Sequence, residues 1–209
     1  MNSFKTIKII LAIFAFSFVT ISCSKEDENA TQTQIPATIY PEENFLAVFK
    51  TKAMFTQADG ISNVNLPYYY ESGVVFKPTV KGKINAINLK LPAVNTTIRV
   101  TIWNKATQAV IATENIAVQS INIYAKKTIA IPIILEKDKE YVISFYSNDF
   151  YNNTKSTNIQ YPITSGNIVI TDFFAGVSTD PNAAAAFPST TDLDKEFRDG
   201  FSFDFQRTE

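Results

Sequence analysis

The feature that most constrains the fold of this chain is an alternation of apolar and polar residues with a period of two. Ile98, Val100 and Ile102 alternate with Arg99 and Thr101, and the same pattern recurs in residues 84–91, 141–145 and 201–206. Successive side chains of a β-strand point to opposite faces, whereas an amphipathic helix repeats every 3.6 residues. The pattern therefore predicts strands that each have one buried and one wetter face.

Further strand candidates follow at intervals of roughly 10–15 residues, separated by turn-forming residues. They are Leu46–Lys52, Gly73–Lys77, Ala109–Thr113, Lys127–Ile134 and Asn167–Thr171. Only Ala183–Ala186 and Thr191–Phe197 have a composition that suits a helical turn. Many short strands without a long amphipathic helix predict an all-β fold. We expect one antiparallel β-sandwich, immunoglobulin-like or jelly-roll-like, over residues 44–209.

The amino-terminal segment has the pattern of a signal peptide. Lys5 and Lys8 precede a nearly unbroken apolar stretch over Ile9–Phe18, and the small residue Ser22 follows. A stretch of this length is shorter than the roughly 20 apolar residues of a membrane-spanning helix. Residues 1–22 are therefore predicted to be a signal peptide.

Cys23 is the only cysteine of the chain, and the chain has no histidine. A disulfide needs a second cysteine, and a nucleophilic cysteine usually needs a histidine base. A buried free cysteine remains an alternative. Residues Thr20–Cys23 resemble the lipobox of bacterial lipoproteins. The resemblance implies that Cys23 is acylated, with palmitate among its acyl chains, and anchors the chain to a membrane.

The residues after Cys23 form a compact acidic run, Ser24–Glu28. The run resembles the lipoprotein export signal of Bacteroidetes-type bacteria, which implies an outer-membrane protein exposed on the cell surface. The run is also explained as a solvated spacer, since acidic polar segments stay disordered, and the two explanations are compatible. The alternative to surface exposure is retention facing the periplasm. The polar, proline-containing sequence that follows predicts a flexible tether over residues 23–43.

The central part of the chain carries a series of aromatic, glycine and apolar residues at characteristic spacings. They are Glu71, Gly73, Phe76, Gly82, Ile84, Ile87, Trp103, Ala112, Tyr141, Ser144 and Tyr146. Their pattern resembles a bacterial family, domain of unknown function 4082, over roughly residues 50–155, with a weaker echo in 200–206. Members of the family occur in secreted and cell-surface proteins, some of which carry carbohydrate-active modules. The resemblance thus implies the fold and raises the expectation of glycan contact.

Composition excludes several functions. The net charge is −1, with no basic cluster, so we expect no nucleic-acid partner. The absence of histidine excludes catalytic triads that use an imidazole base and zinc sites built on imidazole. No spacing of carboxylates predicts an acid–base pair or a metal site. We therefore expect a protein that is not an enzyme and has no cofactor or metal.

Two aromatic patches are candidates for ligand binding. The first is Tyr68, Tyr69 and Tyr70, and the second, expected in a loop after a strand, is Phe150, Tyr151, Asn152 and Asn153. Aromatic rings beside amides suit sugars, because a ring stacks on the apolar face of a pyranose while amides bind its hydroxyls. The alternative is that these tyrosines cover the core of the sandwich.

Trp103 is the third candidate, because it ends a strand on the face opposite to Ile102. It either fills the core or rim of the sandwich or presents its ring to a ligand. The sequence thus predicts a lipid-anchored, non-catalytic binding module whose ligand is a glycan. The alternative is a structural, assembly or accessory lipoprotein of an outer-membrane complex or adhesin, with an envelope protein as its partner.

Overall fold

The computed structural model of the protein describes residues 38–54, 61–189 and 195–209. The predicted signal peptide, Cys23 and most of the predicted tether lie outside these residues. The described residues form one helix and eleven strands: β1 (Glu42–Asn44), α1 (Leu46–Lys52), β2 (Ile61–Pro78), β3 (Gly82–Leu89), β4 (Asn95–Asn104), β5 (Val110–Val118), β6 (Ala125–Leu135), β7 (Tyr141–Thr154), β8 (Ile163–Ser165), β9 (Ile168–Ser178), β10 (Glu196–Asp199) and β11 (Phe201–Arg207). In this part of the chain no helix has the length and apolar character needed to cross a membrane.

The strands form two antiparallel sheets that pack as a sandwich. The smaller sheet has the order β1-β11-β3-β6, and the larger has the order β5-β4-β7-β2-β9-β8. In the larger sheet, β10 also pairs with the end of β7, so that Glu196 lies opposite Thr154. The predicted antiparallel β-sandwich is confirmed.

The core lies between the two sheets and is rich in phenylalanine. Phe201, Phe203 and Phe205 of β11 are completely buried, as their alternation predicts. The ring of Phe203 lies 4.7 Å from that of Phe76 in the opposite sheet, and the ring of Phe201 lies 5.0 Å from that of Phe145. Aromatic packing across the two sheets therefore defines the interior of the sandwich.

Two glycines allow close approach of neighbouring strands. A Cβ atom at Gly73 would lie 2.8 Å from the carbonyl oxygen of Ile143 in β7, and one at Gly82 would lie 2.3 Å from the ring of Phe205. Real Cβ atoms do not approach other heavy atoms so closely. Glycine at these two positions therefore allows a close approach within the sandwich that a larger residue would prevent.

Leu46–Lys52 was predicted to be a strand, and this prediction is wrong, because the segment forms α1. Leu46, Phe49 and Ala53 are buried and follow one another at spacings of three and four, which places them on one side of a helix. The ring of Phe49 lies 4.6 Å from that of Phe197. The segment is too short for its sequence pattern to distinguish a helix from a strand. Its packing against the sandwich therefore decides its conformation.

Three other local expectations differ from the structure. Residues 150–153 lie within β7 and not in a loop, because β7 pairs there with both β2 and β10. Phe197 lies in β10 and not in a helical turn, and residues 183–186 are irregular. The first strand begins at Glu42, where β1 pairs with β11.

Candidate functional site

The outer face of the larger sheet carries a row of polar residues from three neighbouring strands. Tyr146 of β7 is paired with Glu71 of β2 on one side and with Arg99 of β4 on the other. In the next row on the same face, Ser144 lies between Gly73 and Thr101. Residues up to 75 positions apart in the sequence thus come together because alternate side chains of a sheet share a face.

A chain of hydrogen bonds links these residues. Trp103 Nε1 donates to Ser144 Oγ over 2.8 Å, and Ser144 Oγ donates to Glu71 Oε1 over 2.6 Å. The other carboxylate oxygen of Glu71 accepts a hydrogen bond of 2.7 Å from the Arg99 guanidinium. Trp103, Ser144 and Glu71 are all buried. The charge of the buried Glu71 is therefore balanced by Arg99, which offsets the cost of its desolvation.

A segment between β9 and β10, residues 180–187, lies over this network, and we call it the covering segment. Its Ala183 carbonyl accepts a hydrogen bond of 2.5 Å from Arg99, and its Asp180 carbonyl accepts one from the Tyr146 hydroxyl. Phe187 packs edge-on against Trp103, with 5.7 Å between ring centroids. The covering segment thus buries the outer face of the sheet at Trp103 and leaves Arg99 at the edge of the buried region.

A cavity of about 390 Å³ opens beside Arg99, and we call it the Arg99 pocket. Its lining residues are Tyr69, Asn95, Thr97, Ile98, Arg99, Asn115, Tyr146, Pro181 and Asn182. The ring of Tyr69 stacks on that of Tyr146 at 5.5 Å, and the guanidinium of Arg99 lies 4.4 Å from the centroid of Tyr146. Aromatic rings, a guanidinium and amide side chains therefore meet in one small cavity.

The predicted patch Tyr68–Tyr70 is divided by the structure. Tyr69 enters the Arg99 pocket, whereas Tyr68 and Tyr70 line a neighbouring cavity with residues of β9. Tyr68 is 46% exposed. Tyr70 packs on Phe150 with 6.0 Å between centroids, and the buried Arg198 lies 3.9 Å from its ring. Burial lowers the pKa of Arg198 to about 10, so the guanidinium remains charged at neutral pH.

Most of the other predicted ligand residues are buried. Trp103 and Phe150 are 2% exposed, and Tyr151 and Asn153 are also buried. A buried ring has no face on which a sugar could stack, so these four side chains pack the sandwich instead. Asn152 is partly buried and donates a hydrogen bond of 3.2 Å to Glu196. The second aromatic patch thus belongs to β7, and three of its four side chains are buried.

Sequence reasoning missed Arg99, Asn115 and Asn182 as site residues. Arg99 was noted only as a polar residue in an alternating strand, and the two asparagines stood apart from any aromatic pattern. The signal that could have identified Arg99 is its place on the same face of β4 as Trp103. Glu71, Trp103, Ser144 and Tyr146 did belong to the resemblance described above, but the resemblance did not show that they form one network.

Comparison with known families gives a match to a domain of unknown function. Residues 56–197 match the model of a domain of unknown function (DUF4082), which is more than half of the 209-residue chain. The chain belongs to this family. A comparison with curated proteins finds no match. The DUF4082 match extends further toward the carboxyl terminus than the predicted resemblance, and it includes the covering segment and every residue of the Arg99 pocket.

Proposed function

We propose that this DUF4082 domain is a non-catalytic binding module that takes a neutral glycan in the Arg99 pocket. The observation that carries the proposal is the position of the Arg99 guanidinium. It is held by Glu71 and by the Ala183 carbonyl, and it lies at the wall of a cavity that also contains aromatic rings and amides. A fixed planar donor beside amides suits the hydroxyl groups of a sugar.

The charge balance of the pocket favours a neutral ligand. Arg99 Nη2 and Glu71 Oε2 are 2.7 Å apart, and the side chain of Arg99 is only 19% exposed. The positive charge of Arg99 is therefore already compensated, so it serves as a hydrogen-bond donor more than as a partner for an anion.

The remaining lining residues suit a sugar ring. Among the described residues, the side-chain amides of Asn115 and Asn182 make no hydrogen bond, so both amides are free to bind hydroxyl groups. The ring of Tyr69 is partly exposed at the cavity and offers a surface for stacking. The chain has no histidine, the side chain that most often acts as a general base.

A glycan array probed with the full chain tests the proposal. We expect binding to at least one neutral glycan, weakened about fivefold or more by Tyr69→Ala and by Asn182→Ala, since loss of an aromatic contact costs about 1 kcal/mol. Tyr68→Ala is the matched control, because Tyr68 is adjacent in sequence but lies outside the pocket. Absence of glycan binding, or binding that is lost in Tyr68→Ala and kept in Tyr69→Ala, would contradict the proposal.

We also propose that the module is held at the cell surface by acyl chains on Cys23 in the outer membrane. The signal-like segment and the lipobox-like residues before Cys23 support this location. Two or more acyl chains give stable membrane attachment, whereas one chain is marginal. Metabolic labelling with an alkyne fatty acid should mark the wild-type chain and not Cys23→Ser, and external protease should degrade the labelled chain on intact cells. Equal labelling of the two chains would exclude the anchor.

A second candidate function is that of an accessory protein in an envelope complex. It is supported by exposed apolar side chains on the two edge strands β5 and β6, which approach each other. Val110 and Ile111 of β5 are 49% and 42% exposed, and Ile131 and Ile134 of β6 are 84% and 52% exposed. Exposed apolar groups at sheet edges are typical of surfaces that bind another protein. Co-purification of a stoichiometric partner from detergent extracts, lost in Ile111→Lys/Ile131→Lys, would favour this function over glycan binding.

A further inference from the structure

Another cavity lies on the outer face of the smaller sheet, whereas the Arg99 pocket lies on the outer face of the larger sheet. It has a volume of about 680 Å³ and lies between α1 and the outer face of the smaller sheet. Since Phe201 and Phe203 point into the core, the alternate residues Ser202 and Asp204 point to this outer face. Asn88, near the end of β3, and Lys90, directly after β3, also line the cavity. We call it the Lys90 cavity.

The floor of the Lys90 cavity is a hydrogen-bonded polar cluster. Asp204 Oδ1 accepts hydrogen bonds from Asn44 and Asn88 over 3.1 and 2.9 Å, and Asp204 Oδ2 lies 2.7 Å from the Lys126 ammonium. Burial alone would raise the pKa of Asp204, but these partners outweigh it and hold the pKa below its usual range. The carboxylate of Asp204 is therefore ionised and neutralised by Lys126. Asn44 also donates to Ser202 Oγ over 2.9 Å, which leaves the Ser202 hydroxyl hydrogen free to be donated.

Lys90 differs from the other lysines at this cavity. Lys50 is paired with Asp199, with 2.5 Å between charged atoms. The ammonium of Lys90 instead lies 5.2 Å from the ring of Tyr124 and 4.8 Å from that of Tyr151. Within the part of the chain that the structure describes, no carboxylate lies within ion-pair distance of Lys90. Lys126 is shared between Asp204 and Glu42, at 2.7 and 3.9 Å, so among the described residues Lys90 is the lysine at this cavity that has no ion-pair partner.

The position of Lys90 is fixed by the backbone. Its amide donates a hydrogen bond of 2.6 Å to the carbonyl of Gly200, which connects β10 and β11. A Cβ atom at Gly200 would lie 2.2 Å from the Lys90 carbonyl oxygen. Glycine at this position thus allows the turn to approach the end of β3, and the two aromatic rings hold the ammonium above it.

The remaining wall of the cavity is apolar. Leu46 and Ala47 of α1 lie on one side, and the ring of Tyr124, 41% exposed, lies among the other lining residues. Partial burial and the nearby Asp199 carboxylate raise the pKa of Tyr124, so its hydroxyl stays protonated at neutral pH. The cavity therefore combines one lysine that makes no ion pair within the described residues, several hydrogen-bonding groups and a small apolar wall.

We propose that the Lys90 cavity is a second binding site, for a small ligand that bears one carboxylate together with hydroxyl groups, such as a uronic-acid sugar. The carboxylate pairs with Lys90, the hydroxyl groups bind Asn44, Asn88 and Ser202, and the apolar face of the sugar ring packs on Tyr124. The site is independent of the Arg99 pocket, where the arginine charge is compensated. Residues 44–50 and 202–204 of this site lie outside the DUF4082 match.

Nuclear magnetic resonance titration of the ¹⁵N-labelled full chain tests this proposal, with D-glucuronate as the probe and D-glucose as its neutral analogue. We expect glucuronate at about 10 mM, a concentration that detects millimolar dissociation constants, to shift amide resonances of residues around Lys90, and glucose to bind at least about tenfold more weakly. Lys90→Met should lower glucuronate affinity at least about tenfold, while Lys90→Arg retains it.

Lys127→Met is the matched control, because Lys127 is an exposed lysine of β6 that does not line the cavity. It should leave glucuronate affinity unchanged, and so should Tyr69→Ala, which separates this site from the Arg99 pocket. The proposal is overturned if glucuronate shifts no resonance near the cavity, if glucose binds equally well, or if Lys90→Met and Lys127→Met have the same effect. Circular dichroism confirms that each variant is folded, and if Lys90→Met does not fold, the comparison of glucuronate with glucose on the wild-type chain decides.

Discussion

The indole nitrogen of Trp103 donates a hydrogen bond to the hydroxyl of Ser144 across two adjacent strands, over 2.8 Å. The same hydroxyl donates to Glu71, so the only tryptophan of the chain is connected to the carboxylate that holds Arg99. The sequence suggested that the ring of Trp103 could stack on a sugar. In the structure Trp103 is buried, and it is linked through Ser144 and Glu71 to Arg99, which lines the Arg99 pocket.

Replacing Trp103 with phenylalanine should destabilise the domain by about 2 kcal/mol, because the change removes a buried hydrogen bond and leaves unfilled volume beneath Phe187. Urea unfolding followed by circular dichroism measures the effect. The cost should be smaller by about 1 kcal/mol in a Ser144→Ala background, where the hydrogen-bond partner is already absent. Additive costs of the two changes would show that the hydrogen bond contributes nothing.

Replacing Arg99 with methionine should destabilise the domain by about 3 kcal/mol, because the buried Glu71 carboxylate loses the charge that compensates it. Adding Glu71→Gln should recover part of this loss, since the uncompensated charge is then gone. The double-mutant cycle in urea unfolding measures the coupling. If Glu71→Gln lowers the free energy of unfolding further in the Arg99→Met background, the two residues do not act as an ion pair.

Asp204 should make the stability of the domain depend on pH in the acidic range. Its pKa is lower in the folded protein than the usual value of about 3.9. A group of this kind contributes stability above its unfolded pKa, and the contribution is lost as pH falls through the folded pKa. We expect the free energy of unfolding to fall less steeply below about pH 4 in Asp204→Asn than in the wild type.

Lys126→Met provides a second test of the same group. Removing the ammonium should raise the pKa of Asp204 toward its usual value, because Lys126 both donates a hydrogen bond to this carboxylate and attracts it electrostatically. The acid dependence of stability in Lys126→Met should therefore resemble that of Asp204→Asn. If stability falls with pH equally in the wild type, Asp204→Asn and Lys126→Met, another carboxylate is responsible for the acid dependence.

Gly200→Ala should destabilise the domain by at least about 2 kcal/mol, because Gly200 has a φ of 103° and its Cβ would collide with the Lys90 carbonyl. Gly176→Ala is the control, since the nearest atom to its Cβ is Pro188 Cα at 3.6 Å, an ordinary contact. Thermal unfolding of the two variants compares them. Equal melting temperatures would mean that the turn at Gly200 relaxes without cost.

Much of the fold could be predicted from the sequence, because the alternation of apolar residues is a local property. The inward positions of Phe201, Phe203 and Phe205 follow from that alternation, and the structure confirms them. The family resemblance likewise identified Glu71, Trp103 and Ser144 as characteristic residues, although it assigned them no common role.

The candidate site was less predictable, because it depends on which strands become neighbours. The Arg99 pocket needs the register that places Arg99 and Glu71 on either side of Tyr146, and no local pattern encodes that register. Tyr69 entered the pocket, but Tyr151 and Phe150 did not, because β7 continues through them as a strand that is paired on both sides.

The sequence by itself thus determined the period of the strands and, from it, the two-layer β architecture, since both depend on residues close together in the chain. Only the tertiary structure decided that Leu46–Lys52 is a helix, because its conformation depends on burial of Phe49 against Phe197. It also decided which polar side chains meet. Glu71 is compensated by Arg99, and none of the described carboxylates lies within ion-pair distance of Lys90. Both properties arise because strand pairing brings residues together from distant parts of the chain.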